Sequence, residues 1–203
     1  MQKKKKGSTI SYAVIAFLDR VLFYLLFRPK VIGKGNIPKK GPYVLAGNHA
    51  NWLDPVMLVA VVNQAQIHFL AKEELWHGKS KFLVKIMGSI PVNRKIHDKD
   101  ALVSAYEYLN NGCCIGIFPE GTINRTSDWV MPFKIGAVKM CNVTGAKLVP
   151  FVITGEYKLF GKGITIEFLK AREVSDDLDL ENKKLMELVS SKLKKRGKKD
   201  GKK

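Results

Sequence analysis

The chain is poor in cysteine and in acid. It has three cysteines, Cys113, Cys114 and Cys141, two of them adjacent and all in apolar stretches. An odd count in apolar surroundings excludes a disulfide framework, and the spacing is not that of a zinc site. Reduced core thiols in a cytosolic setting are expected. His68, His77 and His97 have no ligand spacing with one another or with the cysteines, so no metal is expected. The first apolar stretch is followed by no small-residue cleavage site, so no secretory signal is expected. There is no internal repeat, and no linker after Pro29 is long enough to divide the chain.

Acidic residues are outnumbered, 18 against 35 Lys and Arg, which leaves a net charge of +17. Such an excess implies an anionic partner: nucleic acid, an anionic lipid surface or a phosphorylated substrate. The nucleic-acid reading lacks its usual companion, a stripe of aromatics among the basic residues. Much of the charge lies at the ends, in Lys3 to Lys6 and in the run from Lys192 to Lys203. At 203 residues with 46% hydrophobic residues, the chain suits one globular domain with a proper core.

Residues Thr9 to Phe27 read TISYAVIAFLDRVLFYLLF. As a helix they would extend about 28 Å at about 1.5 Å per residue, close to a bilayer core. Asp19 and Arg20 fall mid-segment, and each costs about 2.5–3.5 kcal/mol at the centre of a spanning helix. The expected arrangement is an amphipathic helix lying in the membrane interface. Ser8, Ser11, Asp19 and Arg20 would form its polar side. Phe17, Leu18, Val21, Leu22, Leu25 and Leu26 would enter the acyl boundary. Lys3 to Lys6 would sit on anionic headgroups. The alternative is a buried core helix.

Beyond Pro29 a stretch punctuated by Gly33, Gly35, Pro38, Gly41 and Pro42 reads as loop. Strands are expected at Tyr43 to Gly47, Ile67 to Ala71, Ile90 to Val92, Cys113 to Phe118, Lys147 to Ile153 and Ile164 to Leu169. Helices are expected from Asp54 (as cap) to about Val62, and over Lys79 to Met87, Asp98 to Asn110, Lys134 to Val143 and Leu178 to Leu193. The alternation predicts an α/β fold with a mixed, mostly parallel sheet flanked by helices, preceded by the N-terminal membrane-associating helix. The expected division is a basic N-terminus and helix (1–28), one main domain (29–195) and a basic disordered tail (196–203).

Three segments carry chemistry. In Asn48-His49-Ala50-Asn51-Trp52-Leu53-Asp54, histidine and aspartate are five positions apart across a strand-to-helix turn. A bend there can set the carboxylate on one ring nitrogen, fixing the tautomer and leaving the other free to take a proton. Alone, the pattern equally describes a helix cap and a packed histidine. Gly88 to Arg94 places an arginine just past a short strand, where open α/β sheets bind ligands, and its planar fork suits phosphate. Phe118-Pro119-Glu120-Gly121-Thr122 follows the most apolar strand and reads either as a ligand-facing turn or as a plain one.

In this order, with Phe133-Lys134-Ile135-Gly136-Ala137, Val149-Pro150-Phe151 and the lysine segment Ala71 to Leu75, the chain resembles the lysophosphatidic acid acyltransferase family of the bacterial PlsC type. The resemblance runs from about Val31 to Leu169. It implies acyl transfer from acyl-CoA or acyl carrier protein to the sn-2 hydroxyl of lysophosphatidic acid, giving phosphatidic acid. His49 would be the general base, oriented by Asp54. Lys72 and Arg94 would grip the phosphate, and Glu120, Gly121 and Thr122 would shape the glycerol pocket. Backbone N–H groups near Asn51, and the side chains of Arg125 and Lys134, are further candidates. Two positions depart from the family: Asn51 stands where Ser is frequent, and Ile123 where Arg is frequent, with Arg125 two places on. No cofactor is implied. The expected setting is the cytoplasmic face of an anionic membrane, without nucleic acid. An acyltransferase with another lipid or glycerol-phosphate acceptor is the alternative.

Overall fold

The structure, a computed structural model, describes residues 9–78, 81–93 and 99–199. One seven-stranded sheet organises them, in the order β1-β7-β6-β2-β5-β3-β4. The strands are β1 (Lys30–Ile32), β2 (Tyr43–Gly47), β3 (Ile67–Lys72), β4 (Ile90–Val92), β5 (Cys114–Ile117), β6 (Lys147–Gly155) and β7 (Ile164–Phe168). The run β6-β2-β5-β3-β4 is parallel throughout, and β7 turns back antiparallel on β6. The sheet is therefore mixed and mostly parallel, as expected.

A parallel sheet must be covered on both faces, and β2 shows how. Tyr43 and Leu45 point into one core beneath α1 (Thr9–Phe27) and α2 (Asp54–Val61). Val44 and Ala46 point into a second core under α4 (Lys99–Asn110), α5 (Gly136–Thr144) and α6 (Leu178–Lys199). A short α3 (Lys81–Ile86) connects β3 to β4. The apolar run of β2 is thus buried at every position.

Three expectations need correction. The loop-like stretch after Pro29 contains β1, which pairs in parallel with β7 more than 130 residues away. Three residues carry too little pattern to announce such a non-local partner. Residues 196–199, expected in the basic tail, belong to α6, which continues to Lys199, and Arg196 donates from Nε to Glu167 of β7 at 2.8 Å. The polar stripe of α1 is divided: Ser11 is exposed, whereas Asp19 and Arg20 are half-buried against the body. Arg20 donates from Nε to the Ala60 carbonyl of α2 at 3.0 Å, while Tyr12, Ala16 and Phe23 bury beside it. Asp19 is half-buried, and burial pushes its carboxyl up to about 7. The helix is thus seated on the body by its mixed face. Phe17, Leu18, Val21, Leu22 and Leu25 stand exposed, as expected, whereas Leu26 is half-buried. Over Ile10–Phe27 the helix is long and apolar enough to cross a membrane.

Candidate active site

The carboxyl ends of β2, β5, β3 and β4 share one edge of the sheet. Open parallel sheets bind ligands at that edge. Chain leaving β2 builds its centre. Gly47 ends the strand because a Cβ there would come within 2.3 Å of the Phe151 carbonyl oxygen. The buried Asn48 side chain then extends the ladder: its amide donates to the Ile153 carbonyl at 3.0 Å and its oxygen accepts from the Ile153 N–H at 2.8 Å. That clamp fixes where residue 49 leaves the sheet.

His49 and Asp54 meet. His49 Nδ1 lies 2.9 Å from Asp54 Oδ2. The Asp54 side chain is fully buried and that of His49 is 14% exposed. The imidazole stacks on Phe118 with centroids 4.1 Å apart. No partner of Nε2 is found among the described residues. With Nδ1 held as donor by a carboxylate, Nε2 carries the lone pair and can accept a proton.

Asp54 is not the cap of its helix. Leu53 occupies that position, and Asp54 is the first helical residue. Its carboxylate turns back on the preceding loop. Oδ2 also accepts the N–H groups of Ala50 and Asn51, each at 2.8 Å, and Oδ1 accepts the Tyr157 hydroxyl at 2.6 Å. Four donors satisfy a buried anion and hold the turn in one shape. Burial and the neighbouring Asp54 carboxylate hold the Tyr157 phenol well above its ordinary range, so it remains a donor. Tyr157 belongs to no motif. Only the fold joins it to Asp54, across a hundred residues. Of the backbone N–H groups near Asn51, those of Ala50 and of Asn51 itself are taken up by Asp54.

Glu120 is buried, and both oxygens point inward: Oε1 accepts the His49 N–H at 2.9 Å and Oε2 the Met131 N–H at 2.8 Å. Burial raises its carboxyl above the usual range, against the pull of those two bonds. Glu120 ties the backbone of His49 to the following loop. Asn124 N–H donates to the His49 carbonyl at 2.8 Å, so residue 49 is pinned on both sides. Gly121 turns the chain with φ 75°, and the Lys134 side chain lies across the face where a Cβ would project, about 3.1 Å away. Thr122, Arg125 and Lys134 are exposed on this loop, and Lys72 is exposed at the end of β3. Since β5 separates β2 from β3, Lys72 lies about 10 Å across the sheet from the β2 end, two strand spacings. Arg94 and His97 lie outside the described residues. Among the described residues no three His, Cys, Asp or Glu side chains converge as a metal site would require.

A histidine held by a buried carboxylate at the ligand-binding edge of a parallel sheet can exchange a proton with a bound molecule. Over residues 28–154 the chain matches the model of the Acyltransferase family, and it belongs to that family. It is 36% identical over 157 residues to a Bacillus subtilis 1-acyl-sn-glycerol-3-phosphate acyltransferase, covering 75% of this chain and 77% of the relative. It is also 36% identical over 137 residues to the Borreliella burgdorferi 1-acyl-sn-glycerol-3-phosphate acyltransferase, covering 66% of this chain but 54% of that longer protein. In fold it is similar to the crystal structure of the 1-acyl-sn-glycerophosphate (LPA) acyltransferase PlsC from Thermotoga maritima. That match has a TM-score of 0.72 and 23% identity, over 91% of this chain and 78% of the other.

Proposed function

We propose that the chain transfers a fatty acyl group from a thioester, acyl-CoA or acyl carrier protein, to the sn-2 hydroxyl of lysophosphatidic acid, forming phosphatidic acid. The observation that carries this reading is the 2.9 Å contact between His49 Nδ1 and Asp54 Oδ2, with Nε2 left without a partner among the described residues. His49 Nε2 takes the proton of the acceptor hydroxyl as its oxygen attacks the thioester carbonyl carbon. Asp54 stabilises the imidazolium that forms. The tetrahedral intermediate collapses with cleavage of the C–S bond, and the imidazolium returns its proton to the departing thiolate. General-base help of this kind is worth about 10²–10⁴-fold, and positioning and charge stabilisation supply the remainder. Neither Ser nor Cys lies beside His49 in the turn, so direct transfer suits the site better than an acyl-enzyme. No metal or resident cofactor enters the scheme.

Lys72, Lys134 and Arg125 are the cations for the acceptor phosphate, with Arg94 a further candidate two residues past β4. The exposed apolar face of α1 would rest in the interfacial layer of an anionic cytoplasmic leaflet, where both lipid substrate and product reside. The test is an assay of purified protein with lysophosphatidic acid and each thioester donor in turn, phosphatidic acid being the readout. Glycerol 3-phosphate as acceptor is the control. Turnover of lysophosphatidic acid with at least one donor is expected. Acylation of glycerol 3-phosphate alone would move the chain to another acceptor.

A further inference from the structure

The loop between β6 and β7, residues 156–163, places apolar side chains where solvent should oppose them. Leu159 is 61% exposed and Phe160 is 60% exposed. Phe160 also has φ 58°, a left-handed conformation that is a genuine outlier for a bulky residue and suits Gly or Asn. Strain of that kind persists where the surroundings impose it, and it clusters at functional positions. Packing within this chain does not explain the aromatic, because the ring is mostly uncovered. What holds the backbone is visible. The Phe160 N–H donates to the Leu26 carbonyl in the last turn of α1, and Glu156 N–H donates to the Gly163 carbonyl at 3.1 Å, closing the loop. Tyr157 turns inward, its ring edge-on to Phe23 and Phe27 of α1 at centroid distances of 6.1 and 5.6 Å. The loop tip is therefore fixed beside the end of α1 whose Leu22 and Leu25 are exposed. Lys158 and Lys162 flank the pair and are exposed too.

We propose that this loop is a second lipid-contacting element: Leu159 and Phe160 enter the acyl boundary of an anionic bilayer while Lys158 and Lys162 meet its phosphates. The inference rests on the membrane-surface reading above and adds a contact site to it. Apolar residues bracketed by lysines match the layering of a bilayer surface, greasy below and anionic above. The same loop reaches the catalytic turn through Tyr157, so its seat on lipid would bring an embedded acceptor beside His49.

The test compares wild-type protein with L159Q/F160N, whose Asn suits the left-handed backbone, in flotation with phosphatidylcholine vesicles containing or lacking phosphatidylglycerol. The double variant should lose vesicle partitioning roughly tenfold or more, as expected for withdrawing two large apolar side chains from lipid. Its turnover of monomeric, short-chain lysophosphatidic acid should stay at the wild-type rate. K158E/K162E should lose binding only on phosphatidylglycerol vesicles, with the difference shrinking as salt is raised. F160W, bound to vesicles, should show a blue shift of indole emission beyond that of wild type. Wild-type protein that acylates and floats while L159Q/F160N floats equally well, or F160W without an added shift, overturns the loop assignment alone. Wild-type protein that neither floats nor acylates overturns the membrane-surface reading instead.

Discussion

His49 and His68 are built alike and placed differently. Each holds its Nδ1 2.9 Å from an oxygen, and each lays its ring against an aromatic, Phe118 or Tyr108. His68 stands within β3, is 3% exposed, and its oxygen is the Gly88 carbonyl. His49 stands past the end of β2 at the open edge of the sheet, and its oxygen is a carboxylate. The lesson is that orientation and stacking do not make a base. A negative partner to stabilise the imidazolium, and a nitrogen that substrate can reach, do.

The harshest way to break the comparison is to make the oxygen partners equal. Asp54→Asn leaves a neutral acceptor and invites the wrong tautomer, so kcat should fall by roughly 10³-fold or more, in the range that general-base assistance supplies. His68→Gln, by contrast, should lower melting temperature and leave kcat within a few-fold. A large kcat loss in His68→Gln would erase the distinction.

Next in size is Glu120→Gln. An amide N–H would replace one carboxylate oxygen that now accepts a backbone N–H from His49 or Met131, a loss of about 1–3 kcal/mol. Chemical denaturation should show that loss, together with reduced kcat as residue 49 shifts.

Tyr157→Phe sharpens the comparison more gently, since it removes only a donor from Asp54. With one of its four donors gone, Asp54 is held less firmly, and kcat should fall about 3- to 30-fold with KM little changed, on the scale of one charged hydrogen bond. An unchanged kcat would remove Tyr157 from the positioning set.

The smallest effect on turnover should leave both histidines alone. Glu181, buried, would be raised by burial, but bonds from Arg172, Lys184 and Ser175 bring it down to about 2. Its folded value lies below its unfolded one. The stability it gives is thus complete above the ordinary carboxylate range and is lost as pH falls through about 2. Thermal melts across that window should flatten in Glu181→Gln, which should cost about 1.5–3 kcal/mol at neutral pH.

Much of this was legible in the residues. Six of the seven strands were, because continuous apolar runs bounded by Gly and Pro have few other homes. The meeting of His49 with Asp54 was legible because it needs only a local bend. What escaped was non-local or a matter of direction. β1 depends on β7 for its existence. Tyr157 reaches Asp54 only after β6 has crossed the sheet. Glu120 reads from its residues either as ligand-facing or as part of a plain turn, and position alone does not report that its carboxylate accepts the His49 and Met131 N–H groups. The exposed apolar side of α1 was readable from its apolar period, but the seat of Arg20 on Ala60 was not, since only α2 supplies that carbonyl.

The most direct trial of the central claim is phosphatidic acid formation from lysophosphatidic acid and a thioester donor by His49→Ala beside wild type, at equal fold integrity by circular dichroism. With the imidazole gone, turnover should drop by at least about 10²-fold. A variant that acylates as fast as wild type would contradict proton transfer at position 49.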